Sequence, residues 1–461
     1  MAHTRPKSPF DLPELREIIR AYLTKNDAIA CSRVCRTWSS YFRDIVWSTV
    51  DFSKFNQAQM TCLAIVTHGR HIRAVKNLQS SSQIDLLMWN QQQFNLSSLS
   101  VTLAAELSYQ TDLYDFLRLV RCTLTELDLA ASTAAKINVP VDVFLPRGPS
   151  RLTKVSLRGL QLTRLSLTEL LQGCPDLQDL SLYNIYIPSR NLTIDRTYKH
   201  TSLRYLSAPF EEFVTTGNGL SFLPPSPLLS LFPGLERWNV WTNDSLDHSR
   251  LREHSQTIRR SCPRLNQVQL TMGSIVAVKD FVAHVFDEIE TLAFVHQALS
   301  TEFVIAILGH SKTLKHIEYL PLTGTWFYDL IDPPQLHDHY RNLGWTIESI
   351  LRHCSQLESF CFPHYEAEMD DIEKGGWECY GLKELRIRIA GLDTAEKIER
   401  AIELWLDGRR FHRRIEKTGH PASPPAEYLR IGRTLESRVA AHLIKFNELR
   451  TVWLGTKVWR V

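Results

Sequence analysis

One spacing constrains this chain more than any other feature. The pattern Leu-x-x-Leu-x-Leu, with conservative replacements, begins at Leu124, Leu152, Leu177, Leu203, Leu235, Leu265, Ile289, Leu314, Leu357, Leu382 and Leu449, with a fainter copy at Leu96. From Leu96 to Leu314 successive starts lie 28, 28, 25, 26, 32, 30, 24 and 25 residues apart. Within each window the alternating apolar positions describe a short strand whose leucines point to one side. A unit this small cannot bury its apolar side alone, so copies must stack, with helices between the strands covering the outside. Leu165 to Leu171 and Val278 to Phe286 have the composition of such helices. At 461 residues the chain exceeds the roughly 100 to 200 residues of one ordinary domain, which also favours an array.

The period is near that of leucine-rich repeats. The expected fold is therefore α/β: an irregular solenoid with a curved parallel sheet and outer helices. Gly173-Cys174-Pro175, Ser261-Cys262-Pro263 and His353-Cys354-Ser355 each precede a strand window, where a helix ends, the Cys turns inward and the chain reverses. Two gaps interrupt the rhythm, 43 residues from Leu314 to Leu357 and 67 from Leu382 to Leu449, and imply insertions near 321–346 and 393–445.

Composition excludes several classes of function. The apolar fraction is 44%, the charged fraction 22% and the net charge +3, without the dense Lys/Arg stripe that nucleic acid requires. Nine cysteines without paired spacing suit a reducing compartment. The polar start, Met1 to Ser8, is expected to be disordered; it carries no signal peptide, and no run of about 18 apolar residues marks a membrane span. Phosphate loops of the GxxxxGK[ST] type, a GxSxG elbow and an HExxH pair are all missing. Cys31 and Cys35 lie four apart with no further ligands nearby, so no metal, cofactor or catalytic residue is expected.

The first fifty residues obey a different rule. Leu15, Ile18, Ile19, Tyr22 and Leu23 form one helical stripe, with Asp11 and Glu14 at capping-box spacing and Pro13 in the first turn. After the polar break Thr24 to Asp27, two more helices fit, divided near Arg36 and Thr37. Three such short helices are marginal alone and imply a partner. Leu12-Pro13, Glu14-Leu15, Ile18, Leu23, Asp27, Val34-Cys35-Arg36, Trp38, Phe42 and Trp47 together resemble an F-box, with Ala28 and Val46 standing where leucine is usual.

That resemblance implies that residues 9–50 dock on a Skp-type adaptor and, through it, a cullin-RING scaffold. Leu12, Pro13, Leu15, Ile18, Val34, Cys35 and Trp38 would supply adaptor-facing and framework positions. Cysteine-containing repeats follow many F-boxes, and residues 51–461 would be that solenoid. The resemblance implies a substrate receptor for a ubiquitin ligase in the cytoplasm or nucleus, holding a protein substrate; a repeat scaffold without ubiquitin transfer is the alternative.

Residues alternating with the leucines should face outward from the sheet. Among them Tyr183, Tyr205, Arg237, Asn239 and Trp241 make the expected substrate patch, because aromatic and Arg side chains supply most interface energy. Arg409, Arg410, Arg413, Arg414 and Lys417 gather on one helical face, by default a solvated one, that could also receive an acidic or phosphorylated segment.

Overall fold

The computed structural model of the chain describes residues 13–54, 65–89, 95–103, 107–131, 137–138, 140–143, 145, 150–161, 164–183, 185, 198–209, 228–242, 258–272, 279, 281–284, 286, 288–295, 300–319, 344–418, 434–454 and 457–460. It divides into two units, Met1–Leu203 and Arg204–Val461. That division falls inside the span 51–461 expected to form one array.

The first unit opens with helices α1 (Pro13–Tyr22), α2 (Lys25–Ser32) and α3 (Arg36–Trp47). Pro13 is the first residue of α1, where its missing N–H costs no hydrogen bond. Asp11, the expected cap, lies outside the described residues. The capping box belongs instead to α2: Thr24 Oγ1 accepts from Asp27 N at 3.3 Å while the Asp27 carboxylate accepts from Thr24 N at 3.0 Å. The break between α2 and α3 comes earlier than expected near Arg36 and Thr37. The last N–H groups of α2, on Arg33 and Val34, close on Ala30 and Cys31, and Cys35 is fully extended, so α3 begins at Arg36.

Beside a short two-stranded pair (Ile137–Asn138 with Leu160–Gln161), six strands of the main sheet follow in chain order and pair in parallel: β1 (Thr49–Asp51), β2 (Ala74–Leu78), β3 (Ser98–Leu103), β4 (Glu126–Ala131), β5 (Lys154–Arg158) and β6 (Asp179–Tyr183). The register aligns the motif leucines in rows. Leu99, Leu127, Val155 and Leu180 form one buried row; Val101, Leu129, Leu157 and Leu182 form the next. Burying a full leucine side chain contributes about 1.5–3 kcal/mol, so these rows outweigh any polar contact on the surface. Turn backbone groups are satisfied by a repeated fork: Ser97 O accepts from Thr125 N and Glu126 N (2.8 and 2.9 Å), and Thr125 O accepts from Thr153 N and Lys154 N (2.8 and 3.1 Å). Helices α4 (Ser81–Met88), α5 (Leu107–Val120) and α6 (Arg164–Gly173) lie between strands. The buried Tyr109 hydroxyl of α5 donates to Leu78 O or Thr102 O, each 3.1 Å away, which ties that helix to β2 and β3.

In the second unit the same rule continues through β7 (Tyr205–Pro209), β8 (Arg237–Thr242), β9 (Gln267–Met272), β10 (Thr291–Val295), β11 (His316–Tyr319), β12 (Ser359–Ala367), β13 (Glu384–Ile389) and β14 (Thr451–Leu454). A last strand, β15 (Lys457–Arg460), pairs antiparallel with β14. The fold is thus α/β with open, overwhelmingly parallel sheet. Charged residues occupy the turns here, as Arg204–Glu236 (3.4 Å), Glu290–Lys315 (3.2 Å) and Glu358–Lys383 (2.6 Å). Half-exposed pairs of this kind contribute under about 1 kcal/mol each.

The expected turn cysteines lie where the spacing put them. Cys174, Cys262 and Cys354 are buried, and each carbonyl accepts from the first leucine of its motif at 3.1 Å. Cys379 does the same for Leu382 and was not singled out by sequence. Burial pushes the thiols of Cys262, Cys354 and Cys379 up to about 12, which leaves them unreactive.

The first expected insertion lies mostly outside the described residues. The described residues of the second form α10 (Ala395–Thr418) and α11 (Leu435–Leu443), which follow α7 (Thr301–Leu308), α8 (Gly344–His353) and α9 (Met369–Gly375). Among the described residues no helix is long and apolar enough to cross a membrane.

Within α11, His442 is buried edge-on against Trp377 (centroids 4.6 Å) and beside Phe446. Burial, with a smaller push from Lys445, lowers its imidazole to about 4 against an opposing pull from Glu373. An unfolded chain takes up this proton near 6.5 and the folded chain only near 4. The associated stability is therefore complete above 6.5 and is lost as pH falls toward 4, by about 3 kcal/mol at most. Urea unfolding at pH 7.5 and pH 4.5 should show that loss in the native chain and a smaller one in His442→Leu; equal pH dependence in both would contradict the assignment.

Candidate interaction surfaces

The opening helices expose apolar residues that a self-contained fold would cover. Relative exposure is 37% for Leu15, 56% for Ile18, 85% for Tyr22 and 67% for Val34, whereas only Ala28 and Phe42 are buried among the described side chains of the three helices. Of the expected docking set, Leu15 and Ile18 are exposed on α1, and Val34 and Cys35 are exposed in the break before α3. Trp38 is half-buried and edge-on to Phe42 at 5.6 Å. Leu12 lies outside the described residues, as does the Pro13 side chain.

These helices are nonetheless fixed to the first unit. Tyr41 Oη donates to Glu17 Oε1 at 2.9 Å, joining α3 to α1, and Lys25 Nζ donates to Thr49 O at 2.5 Å, joining α2 to β1. Trp47 stacks on His68 at 4.6 Å, and His71 Nδ1 meets the Asp44 carboxylate. The exposed stripe is therefore presented from an anchored base.

The expected substrate patch is brought together only in part. Tyr205 and Arg237 are register partners on β7 and β8, with the guanidinium 5.4 Å from the ring centroid. Asn239 lies two residues along β8 on the same face, half-buried, with Oδ1 enclosed and unpartnered. Trp241 belongs to β8, but its side chain lies outside the described residues. Tyr183 is exposed at the end of β6.

Register reveals a longer row. From β8 to β14 it reads Asn239, Gln269, Ala293, Glu318, Cys361, Arg386 and Trp453, beside a second row that includes Arg237, Gln267, Thr291, His316, Ser359 and Glu384. The Arg386 guanidinium lies 4.1 Å from the Trp453 ring centroid, a stacked cation over an aromatic face, and its Nε has no partner. Desolvation, together with Glu384, raises the Glu318 carboxyl against the pull of Arg386. Burial, reinforced by Glu318, pushes the Cys361 thiol up to about 11. Sequence alternation puts Glu318, Cys361, Arg386 and Trp453 alike on this face, and the register sets them in one row.

The corresponding face of the first unit carries several internal pairs. Ser98 Oγ donates to Glu126 at 3.1 Å, and Asp128 Oδ2 accepts from Ser100 Oγ at 3.0 Å and from Arg158 at 2.8 Å. Asp128 Oδ1 is left without a partner, and in the second unit Ser359 Oγ donates to Glu384 at 3.3 Å, so the two faces differ in degree.

The cationic helix face is described only at Arg409 and Arg410. Arg409 turns back to donate to Asn447 O at 2.7 Å and to Leu449 O, with its guanidinium 5.5 Å from the Trp405 ring centroid, so it holds the turn before β14. Arg410 pairs with Asp407 at 3.2 Å. The side chains of Arg413, Arg414 and Lys417 lie outside the described residues. Among the described residues no group of three or more His, Cys, Asp or Glu is disposed to hold a metal ion. The chain matches no model of a known protein family and no curated protein.

Proposed function

We propose that this chain is the substrate-recognition subunit of a Skp-cullin-F-box ubiquitin ligase, acting in the cytoplasm or nucleus. In this reading α1 to α3 are an F-box, the parallel strands with their intervening helices are a leucine-rich-repeat solenoid, and the open face of that solenoid holds a protein substrate. The observation that carries the reading is the apolar stripe of Leu15, Ile18 and Tyr22, left exposed on an anchored helix, together with the exposure of Val34 before α3. Large apolar side chains grouped in this way mark a surface that a partner covers. The amphipathic pattern of α1 is that of a helix with one side meant for burial.

The chain itself supplies no reacting group. Its contribution is proximity: a substrate held on the sheet face is brought to a charged ubiquitin carrier on the scaffold, which raises effective concentration without chemistry in this chain.

The test is co-expression of the full chain with a Skp-type adaptor and a cullin-RING scaffold, followed by purification through a tag on the chain. A stoichiometric assembly containing all of them is expected. Recovery of the chain without adaptor under conditions that preserve other such assemblies would leave the scaffold alternative, a protein-binding solenoid with no role in ubiquitin transfer.

A further inference from the structure

The unused hydrogen-bonding groups on the second unit lie in a defined order. Across β8, β9, β10 and β11, one row reads Arg237, Gln267, Thr291 and His316, and the adjacent row reads Asn239, Gln269, Ala293 and Glu318. Among the described residues Arg237, Asn239, Gln267, Gln269 and Glu318 make no side-chain hydrogen bond or ion pair, and Asn239 Oδ1 is enclosed as well. Two neutral amides, Gln267 and Gln269 on β9, thus lie between Arg237 and Asn239 on β8 and the Glu318 carboxylate on β11, with Ala293 on β10 as the low point of the surface.

Each element of that order selects a feature of the occupant. Carboxamides both donate and accept, which matches the alternating N–H and C=O groups of an extended main chain. Arg237 is exposed and shares its charge only with the face of Tyr205. Glu318 has Arg386 in its vicinity, yet that guanidinium stacks on Trp453, and the carboxyl remains raised by desolvation and by Glu384. A cation placed at Glu318 is therefore favoured. Three strand steps of about 4.8 Å and an offset of two residues along the strands separate the two ends, about 16 Å, which an extended peptide spans in about four to five residues at 3.3 Å each.

We infer that this face binds an extended segment of a partner protein running across β8 to β11. Asn239, Gln267 and Gln269 hold its main chain, Arg237 takes an acidic side chain, and Glu318 takes a basic one about four to five residues away. This rests on reading the open face as the partner-holding surface, and it adds the chemistry of what is held.

The experiment pans the immobilised full chain against a display library of random nonapeptides, then titrates the leading peptide by fluorescence anisotropy. Enriched peptides are expected to carry an acidic and a basic residue three to five positions apart. Arg237→Glu should weaken the leading peptide about tenfold, since one attraction is exchanged for a repulsion, and panning on that variant should replace the acid by a base. Asn239→Leu with Gln269→Leu should weaken it comparably, with an unchanged thermal midpoint showing that the fold survives. No enrichment, enrichment without the spaced pair, or affinity indifferent to these changes overturns the inference. So would self-association of the chain that the Asn239→Leu, Gln269→Leu variant abolishes, because the occupant would then be a second copy. Adaptor binding is measured on the same preparation: peptide binding without adaptor binding sinks the ligase reading alone, and adaptor binding without peptide binding sinks this inference alone.

Discussion

Replacing Leu15 and Ile18 together by Asp is expected to abolish adaptor binding, by a hundredfold or more in affinity, and to leave the thermal midpoint of the chain within about 2 °C of native. Both side chains lie on the exposed side of α1, so a carboxylate there meets water in the free chain and costs little. In the complex the same carboxylates would be buried without partners, at a cost of several kcal/mol each. The asymmetry comes from burial in only one of the two states. It is checked by titrating labelled adaptor into native and variant chains and recording thermal unfolding of both. Unfolding of the variant would show that the stripe already packs inside the chain, and undiminished affinity would show that the adaptor uses another face.

The second large effect concerns the sheet. Trp238 lies in the buried row of β8, 1% exposed, with its ring edge-on to Phe281 at 5.8 Å. Its flanking row members, Leu206 and Val268, are buried too. Truncation to Ala removes the largest side chain of that row and leaves a cavity that close-packed neighbours fill only in part. The expected loss is about 3–5 kcal/mol in urea unfolding. The same substitution at Trp453, on the opposite face of the sheet, should cost under half as much, because Trp453 is only half-buried. Equal costs would mean that the inner and outer faces have been exchanged.

Much of the fold was legible because one physical demand repeats. All twelve motif windows contain a strand, and in each the strand begins two residues after the first apolar position, as at Leu96 for β3 and Leu449 for β14. Two further windows escaped for local reasons. Trp47, Val50 and Phe52 have the spacing, but Trp47 also ends α3, so the helical pattern masked the start of β1. In β2 the third apolar position is Asn77, left-handed at φ 56° and donating to Asp51 Oδ1 at 2.7 Å. The register slips there, and Leu78 is buried one residue late. Asn tolerates that conformation better than most residues, so a local backbone choice broke a global pattern.

The surfaces were less legible. Residue type alone marked Tyr205 and Arg237, and the structure does join them. Tyr183 was of equal promise by type but belongs to the other unit. Gln267 and Gln269 attract no notice in a sequence, since amides on strands are as often paired as free; only the absence of internal partners distinguishes them from Ser98 and Ser100. Likewise the exposure of Val34 follows from the extended Cys35, a conformation that helical periodicity does not foresee.

The central claim is that the opening helices latch onto a separate subunit. Amide hydrogen exchange of the full chain, with and without a purified Skp-type adaptor, tests it most directly. The account predicts a one-to-one complex in which added protection is concentrated in residues 13–47, above all in α1 and around Val34, while β3 to β14 exchange as before. Protection that falls on the strands and spares α1, or no complex at micromolar concentrations, would contradict it.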